Sequence, residues 1–351
     1  MMLLSATDFL ERHRQVVFGD RICVSAAGPI QHARDCLLFP NIYAEEVPQW
    51  WLRREQGVFD SDLNHIESQS DRRQDRLIWW PGAAVAKRLK QDASPRTEEA
   101  AIYGGTIYDH FGHFLLDSLS RVYNIVSSAR FDGMDILFHE YRPHGRPSLL
   151  LSQKYIDILE HIGLDAGRVR TIEQPVKIRN LVLSDSMFFD GLFAARNFFR
   201  IARSAGGATG RGGAFISRSH LKAGTSEVRN SLEVDACARD HGLAVFHPET
   251  MSFREQMQIL SDHDYVCGMP SSFFHLKILS RFSTPLYFLI PSVEEALHIN
   301  FLNLDVALAF GDRFFLVDSE KVAPSPGFVR AFTCSLDSLR QGFSAIRQAQ
   351  P

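Results

Sequence analysis

Hydrophobic and polar positions alternate differently in the two halves of the chain. In the first hundred residues, apolar runs at 21–24, 36–39 and 77–80 read as strands. The polar stretch 60–76 between them reads as a surface loop or exposed helix. A helical pattern over 109–129 precedes a strand at 134–138. A second helix, 148–162, stops at Gly163, a residue suited to a left-handed C-terminal cap. Strands are expected at 168–172 and 178–184.

The stretch 204–213 (SAGGATGRGG) is glycine-rich with Arg211 its only charge, so it reads as a hinge with a domain boundary just before it. Beyond it the rhythm sharpens. A strand at 214–217 leads to a helix over 226–241 ended by Gly242, then a strand at 243–247. Ser252 and Glu255 form the S-x-x-E pattern that caps a helix running to about 262. A strand at 265–267, a small-residue turn, a helix at 273–281 and a strand at 286–290 follow. Strands alternating with helices imply right-handed βαβ units and a parallel sheet, so the second half is expected to be a Rossmann-like α/β domain.

Composition narrows the function classes. A chain of 351 residues corresponds to about two domains. With 45% hydrophobic residues it can bury a substantial core, and its 27 phenylalanines suit core packing. A net charge of −3 argues against a polycationic nucleic-acid binder. Five scattered cysteines without a CxxC argue against a disulfide framework or a Cys-rich zinc site and fit a reducing compartment. The N-terminal residues lack a basic region and a long apolar core, so no signal peptide is expected. No apolar run approaches the roughly 20 residues that span a bilayer. The expectation is a cytoplasmic chain, with peripheral attachment to the inner face of a membrane left open.

Four constellations could carry chemistry. In the first, His110, His113, Asp117 and Arg121 fall within roughly 80° of one helical face. Two imidazoles beside a carboxylate suit proton transfer; a solvated polar face, or a metal held by HxxH plus Asp, are the competing readings. In the second, Ile216-Ser217-Arg218 ends the first strand of the α/β domain, with Lys222 close behind. Ligands of open α/β sheets bind at that edge, where an Arg fork and a Lys point charge could hold a diphosphate; ordinary surface cations are the alternative. In the third, the turn before the helix at 273 carries Ser271 and Ser272, which read as a phosphate cradle or a plain N-cap. In the fourth, Glu249 of His247-Pro248-Glu249 stands at the same edge, as a ribose acceptor or a surface acid. The last three agree in position, which points to a nucleotide-diphosphate site without a P-loop.

The order of these motifs resembles the glycosyltransferase 61 family, including its bacterial polysaccharide-biosynthesis members. The resemblance is carried by His110 to Asp117, by Ile216-Ser217-Arg218, and in part by Arg229, Asn230 and Glu233. It continues through Gly242 to Glu249 with Met251, Ser252, Glu255 and Gln256, and through Val266 to Phe274. His110 stands where the family pattern has Asn or Tyr, which makes His113 the better-matched base.

The resemblance implies an α/β, GT-B-like fold of two Rossmann-like domains facing a cleft, with an acceptor-side domain at 1–200. It places a nucleotide-sugar-binding domain at 201–325 and a C-terminal segment, 326–351, whose helix returns to the first domain. It further implies a glycosyltransferase, inverting and without a metal or other cofactor, that uses a nucleotide-sugar donor and a glycan or lipid-linked glycan acceptor. In this reading His110 or His113, supported by Asp117, deprotonates the acceptor. Arg218, Lys222, Ser271 and Ser272 hold the donor's phosphates, and Glu249 holds its ribose. A non-catalytic nucleotide- or glycan-binding protein of the same shape in a polysaccharide-assembly complex is the alternative.

Overall fold

The computed structural model describes residues 4–5, 23–25, 30–43, 54–69, 72–73, 76–77, 95–108, 110–126, 131, 133–141, 148, 152–189, 193–195, 210–293, 307 and 310–350. The chain forms two units, one of Ile22–Phe198 and one of Phe199–Pro351 together with Met1–Arg21. Most of the expected hinge, and Trp79 and Trp80 of an expected strand, lie outside the described residues.

Of the expected N-terminal strands, 36–39 and 178–184 lie inside longer ones, 134–138 begins at Ile136, and 168–172 shrinks to Val169–Thr171. The run 21–24 is the short Cys23–Ser25 of a separate small sheet, and of 77–80 only Leu77 is described, in the pair Arg76–Leu77. Besides β1 (Leu4–Ser5), which joins the other unit, the strands that build the main N-terminal sheet are β2 (Ile30–Tyr43), β3 (Arg54–Phe59), β4 (Arg96–Tyr108), β5 (Ile136–Tyr141), β6 (Val169–Thr171) and β7 (Val176–Ser184). They make one sheet in the order β3-β2-β7-β4-β5-β6. The β7-β4-β5-β6 portion is parallel, as a Rossmann-like reading requires. The pair β2-β3 is added antiparallel, so the unit is a mixed sheet rather than a purely parallel one. Pro40 has no N–H to give to the ladder, and the register shifts there, between Phe39 and Ile42.

The next strands are β8 (Gly213–Ile216), β9 (Gly224–Val228), β10 (Ala244–Phe246), β11 (Tyr265–Gly268), β12 (Leu286–Pro291), β13 (Arg313–Val317), β14 (Ser319–Val322) and β15 (Phe328–Cys334). The main sheet runs β1-β13-β12-β11-β8-β10, parallel throughout except for the edge strand β1. β8, β11 and β12 are buried along their whole length, as strands covered on both faces must be. A smaller sheet has the order β9-β15-β14.

Three expectations change here. The helix expected over 226–241 is the strand β9 followed by a shorter helix, Ser231–Asp240. β9 pairs in parallel with β15, a partner about a hundred residues away that local periodicity does not register. The segment expected to be one C-terminal helix is β15 followed by a helix, Leu336–Gln348. That helix is part of the C-terminal unit, where Leu339, Phe343 and Ile346 bury in the same cluster as Phe215 and Phe315. The helix expected over 273–281 is a 3-10 helix, Ser272–Leu279, buried on almost every side.

Candidate functional site

In the N-terminal unit the polar helix begins right after β4. It is built in three pieces: α1 (Phe111–His113), a π turn (Phe114–Ser118) and α2 (Leu119–Val126). The chain reaches it through Gly104 and Gly105. A Cβ on Gly104 would lie 2.4 Å from the Phe138 ring, and Gly105 has φ +92° with Arg121 packed against it.

The π turn changes which side chains share a face. His113 Nδ1 meets Asp117 Oδ2 at 2.6 Å, both side chains being largely buried. His110, the N-cap of α1, is exposed, and its ring centroid lies 4.9 Å from that of His113. Arg121 was expected on the same face. The wider i→i+5 turn shifts the register and sends it inward, where it is 1% exposed. There it donates to Gln69 Oε1 and to the Ser184 carbonyl, both at 3.1 Å. Arg121 is therefore a structural clasp. The Nδ1–carboxylate contact directs the ring proton of His113 to Nδ1 and the lone pair to Nε2, the tautomer of a general base.

In the C-terminal unit the structure brings three of the predicted strand ends together. Arg218, just past β8, reaches across to the turn after β11 and donates to the Pro270 carbonyl at 3.1 Å. Its other terminal nitrogen donates to the Ser226 carbonyl on β9 at 2.8 Å. The strand that replaced the expected helix thus supplies the acceptor that aims Arg218. Burial pulls the guanidinium's pKa below its ordinary value, and the nearby Glu249 carboxylate opposes that pull. Arg218 Nε and Ser271 Oγ are buried and have no hydrogen-bond partner among the described residues. Ser271 is the N-cap of the 3-10 helix but makes no side-chain cap bond, and Ser272 begins that helix. Gly268 allows the close approach of β11 to β8, since a Cβ there would stand 2.7 Å from the Ile216 carbonyl oxygen. Lys222 is exposed in the turn before β9, and the structure does not draw it into this network.

The turn carrying His247 and Glu249 is held from the helix α5 (Phe253–Asp262), which follows α3 (Gln153–His161) of the N-terminal unit and α4 (Ser231–Asp240) in the chain. Ser252 and Glu255 form the expected capping box. Gln256, 1% exposed, donates to the carbonyls of Pro248 at 2.9 Å and Met251 at 3.1 Å. The Ser-x-x-Glu-Gln pattern is therefore a bracket for the Pro248–Thr250 turn.

Reading the sequence missed Ser219 and Asp235. Ser219 Oγ donates to Asp235 Oδ2 at 2.7 Å and lies 3.3 Å from His247 Nδ1. Asp235 is 2% exposed between the buried Val234 and Cys237, and an acid inside that apolar run was its only signal. His220 and His247 stack with centroids 3.8 Å apart, and with Glu249 they form a group able to hold a metal ion.

Four cysteines, Cys36, Cys237, Cys267 and Cys334, are free and buried, and burial raises each thiol's pKa, which leaves them poor nucleophiles. A shallow groove of about 470 Å³ on the N-terminal sheet includes none of the predicted site residues. Its charges pair with one another, Lys177 with Asp35 and Arg179 with Glu99. Among the described residues no helix is long and apolar enough to cross a membrane.

Residues 111–286, half of the chain, match the family model described as Glycosyltransferase 61. No curated protein matches the chain.

Proposed function

The chain belongs to the glycosyltransferase 61 family, and from that premise we propose that it moves a sugar from a nucleotide-diphosphate donor to a hydroxyl of a glycan, free or lipid-linked, in polysaccharide assembly. The observation that carries the donor half is a pair of buried atoms unmatched among the described residues, Arg218 Nε and Ser271 Oγ, at neighbouring strand ends. A buried polar group left without a partner costs about 1–3 kcal/mol. Phosphate oxygens, anionic and rich in lone pairs, would meet both.

In this reading the acceptor's hydroxyl proton passes to Nε2 of His113 while the oxygen bonds the anomeric carbon. The bond from that carbon to the diphosphate breaks, and its electron pair leaves with the nucleoside diphosphate, whose charge Arg218 offsets. Asp117 holds the ring's orientation and stabilises the imidazolium that forms. A single displacement of this kind inverts the anomeric centre. The two units are then the two lobes of a GT-B enzyme.

Two substitutions test the two halves separately. Arg218→Ala should abolish the rise in melting temperature that nucleoside diphosphates give the native protein. His113→Ala should keep that rise while transfer falls by about 10²-fold or more. Transfer at native rates with both changes in place would overturn the assignment.

A further inference from the structure

The strand ends beyond β8 and β10 also carry a cluster of a different chemistry. The ligand atoms of His220, His247 and Glu249 all lie within 4.8 Å of one another. Two imidazoles and one carboxylate are the donor set of open zinc centres, in which a fourth position is left for water or substrate. We propose that these three residues bind a divalent transition-metal ion of the zinc type. The proposal gives Glu249 a cation where the sequence led to a ribose hydroxyl, and it does not depend on the transfer reading.

The second shell is already built. The Ser219 hydroxyl spends its hydrogen on the Asp235 carboxylate at 2.7 Å. Toward His247 Nδ1, 3.3 Å away, that oxygen can therefore only accept. The ring proton is placed on Nδ1 and the lone pair on Nε2, which is the ligating state. A carboxylate–hydroxyl–imidazole relay of this kind orients metal-bound histidines and raises their hold on the ion. Its far end is rigid, because Asp235 is buried on α4.

Glu249 rides on the turn that Gln256 pins through the Pro248 carbonyl. The third ligand is the adjustable one. His220 is exposed and stacked on His247 with the planes 12° apart. Ligand atoms around one zinc ion stand about 3.4 Å apart, so a modest rotation of His220 out of the stack closes the set. Ser217 N donates to the Phe246 carbonyl at 2.8 Å, so the two loops leave the sheet side by side.

The test uses the full-length chain, stripped with a chelator and then titrated with Co²⁺ by visible absorption and with Zn²⁺ by calorimetry. One equivalent should bind, with the absorption bands of a nitrogen- and oxygen-ligated Co²⁺ ion. His247→Ala should abolish binding, and Glu249→Gln should weaken it at least tenfold. Ser219→Ala leaves all three ligands in place and should weaken binding by about 10- to 100-fold through the lost relay. His113→Ala should keep one equivalent, which separates this site from the histidine pair of the N-terminal unit. Circular dichroism verifies the fold of each variant. No stoichiometric binding to the folded native chain would overturn the proposal, as would a full equivalent in a folded His247→Ala/Glu249→Gln double variant. Thermal shift with nucleoside diphosphates, run on the metal-free protein, reports on the transfer reading separately.

Discussion

His139 is fully buried, with Nδ1 2.8 Å from the Tyr103 hydroxyl and Nε2 2.7 Å from the Phe39 carbonyl oxygen. Burial lowers its pKa from 6.5 to about 4, although the Phe39 carbonyl favours the charged ring. The unfolded chain takes up this proton near its ordinary pKa, whereas the folded chain refuses it until about pH 4. Below pH 6.5 protons therefore favour the unfolded state, and the loss grows as pH falls toward 4, reaching about 3 kcal/mol. Urea midpoints between pH 7 and pH 4.5 should fall more steeply for the native chain than for His139→Gln; parallel curves would refute this. At the candidate site, Asp117→Asn keeps the size of the side chain but can donate to Nδ1 and so favour the wrong tautomer. We expect kcat to fall by about 10²-fold or more with the donor's KM little changed. A matched fall in donor affinity would place Asp117 in binding instead. His110, His113 and Asp117 were legible as a polar cluster, and the family resemblance already favoured His113, but its pairing with Asp117 was not legible, since the π turn behind it has no local sequence signal.

Elements whose ends are marked by side chains were the easiest to read. The Ser252–Glu255 capping box, and Gly163 and Gly242 with φ of +85° and +77°, stand where the sequence placed helix ends. β9 was the harder case, because its partner comes from the far end of the chain. Asn230 closes that junction: its side-chain amide donates to the Cys334 carbonyl at 2.9 Å, and its carbonyl oxygen accepts from Cys334 N–H at 3.0 Å. Asn230→Ala should cost about 1–3 kcal/mol by leaving those backbone groups unmatched. It should also weaken nucleoside diphosphate binding, because Arg218 is aimed by β9 through Ser226. A stability loss with unchanged diphosphate affinity would detach the strand from the site.

At the scale of the molecule, the C-terminal unit is completed by its last helix. Phe343 meets Phe215 of β8 edge-on, with centroids 5.8 Å apart, and Gly342 lets the helix approach Phe315 closely enough that a Cβ would stand 2.9 Å from that ring. Phe343→Ala should therefore cost about 3–5 kcal/mol and abolish nucleoside diphosphate binding together with the unit's cooperative unfolding. If the binding persisted in a chain truncated before Leu336, the helix would be an accessory and not part of the core. The sequence by itself determined the α/β class, the strand-end placement of Arg218, Glu249 and Ser271, and the family. Those features rest on periodicity and on short motifs whose chemistry is local. Only the tertiary structure decided that Arg121 turns inward, that 224–228 is a strand, that the C-terminal helix packs on Phe215 and Phe315, and that Ser219 and Asp235 stand behind His247. Each of these depends on a partner distant in sequence or on a turn that shifts a helix's register, and neither leaves a trace in a local pattern.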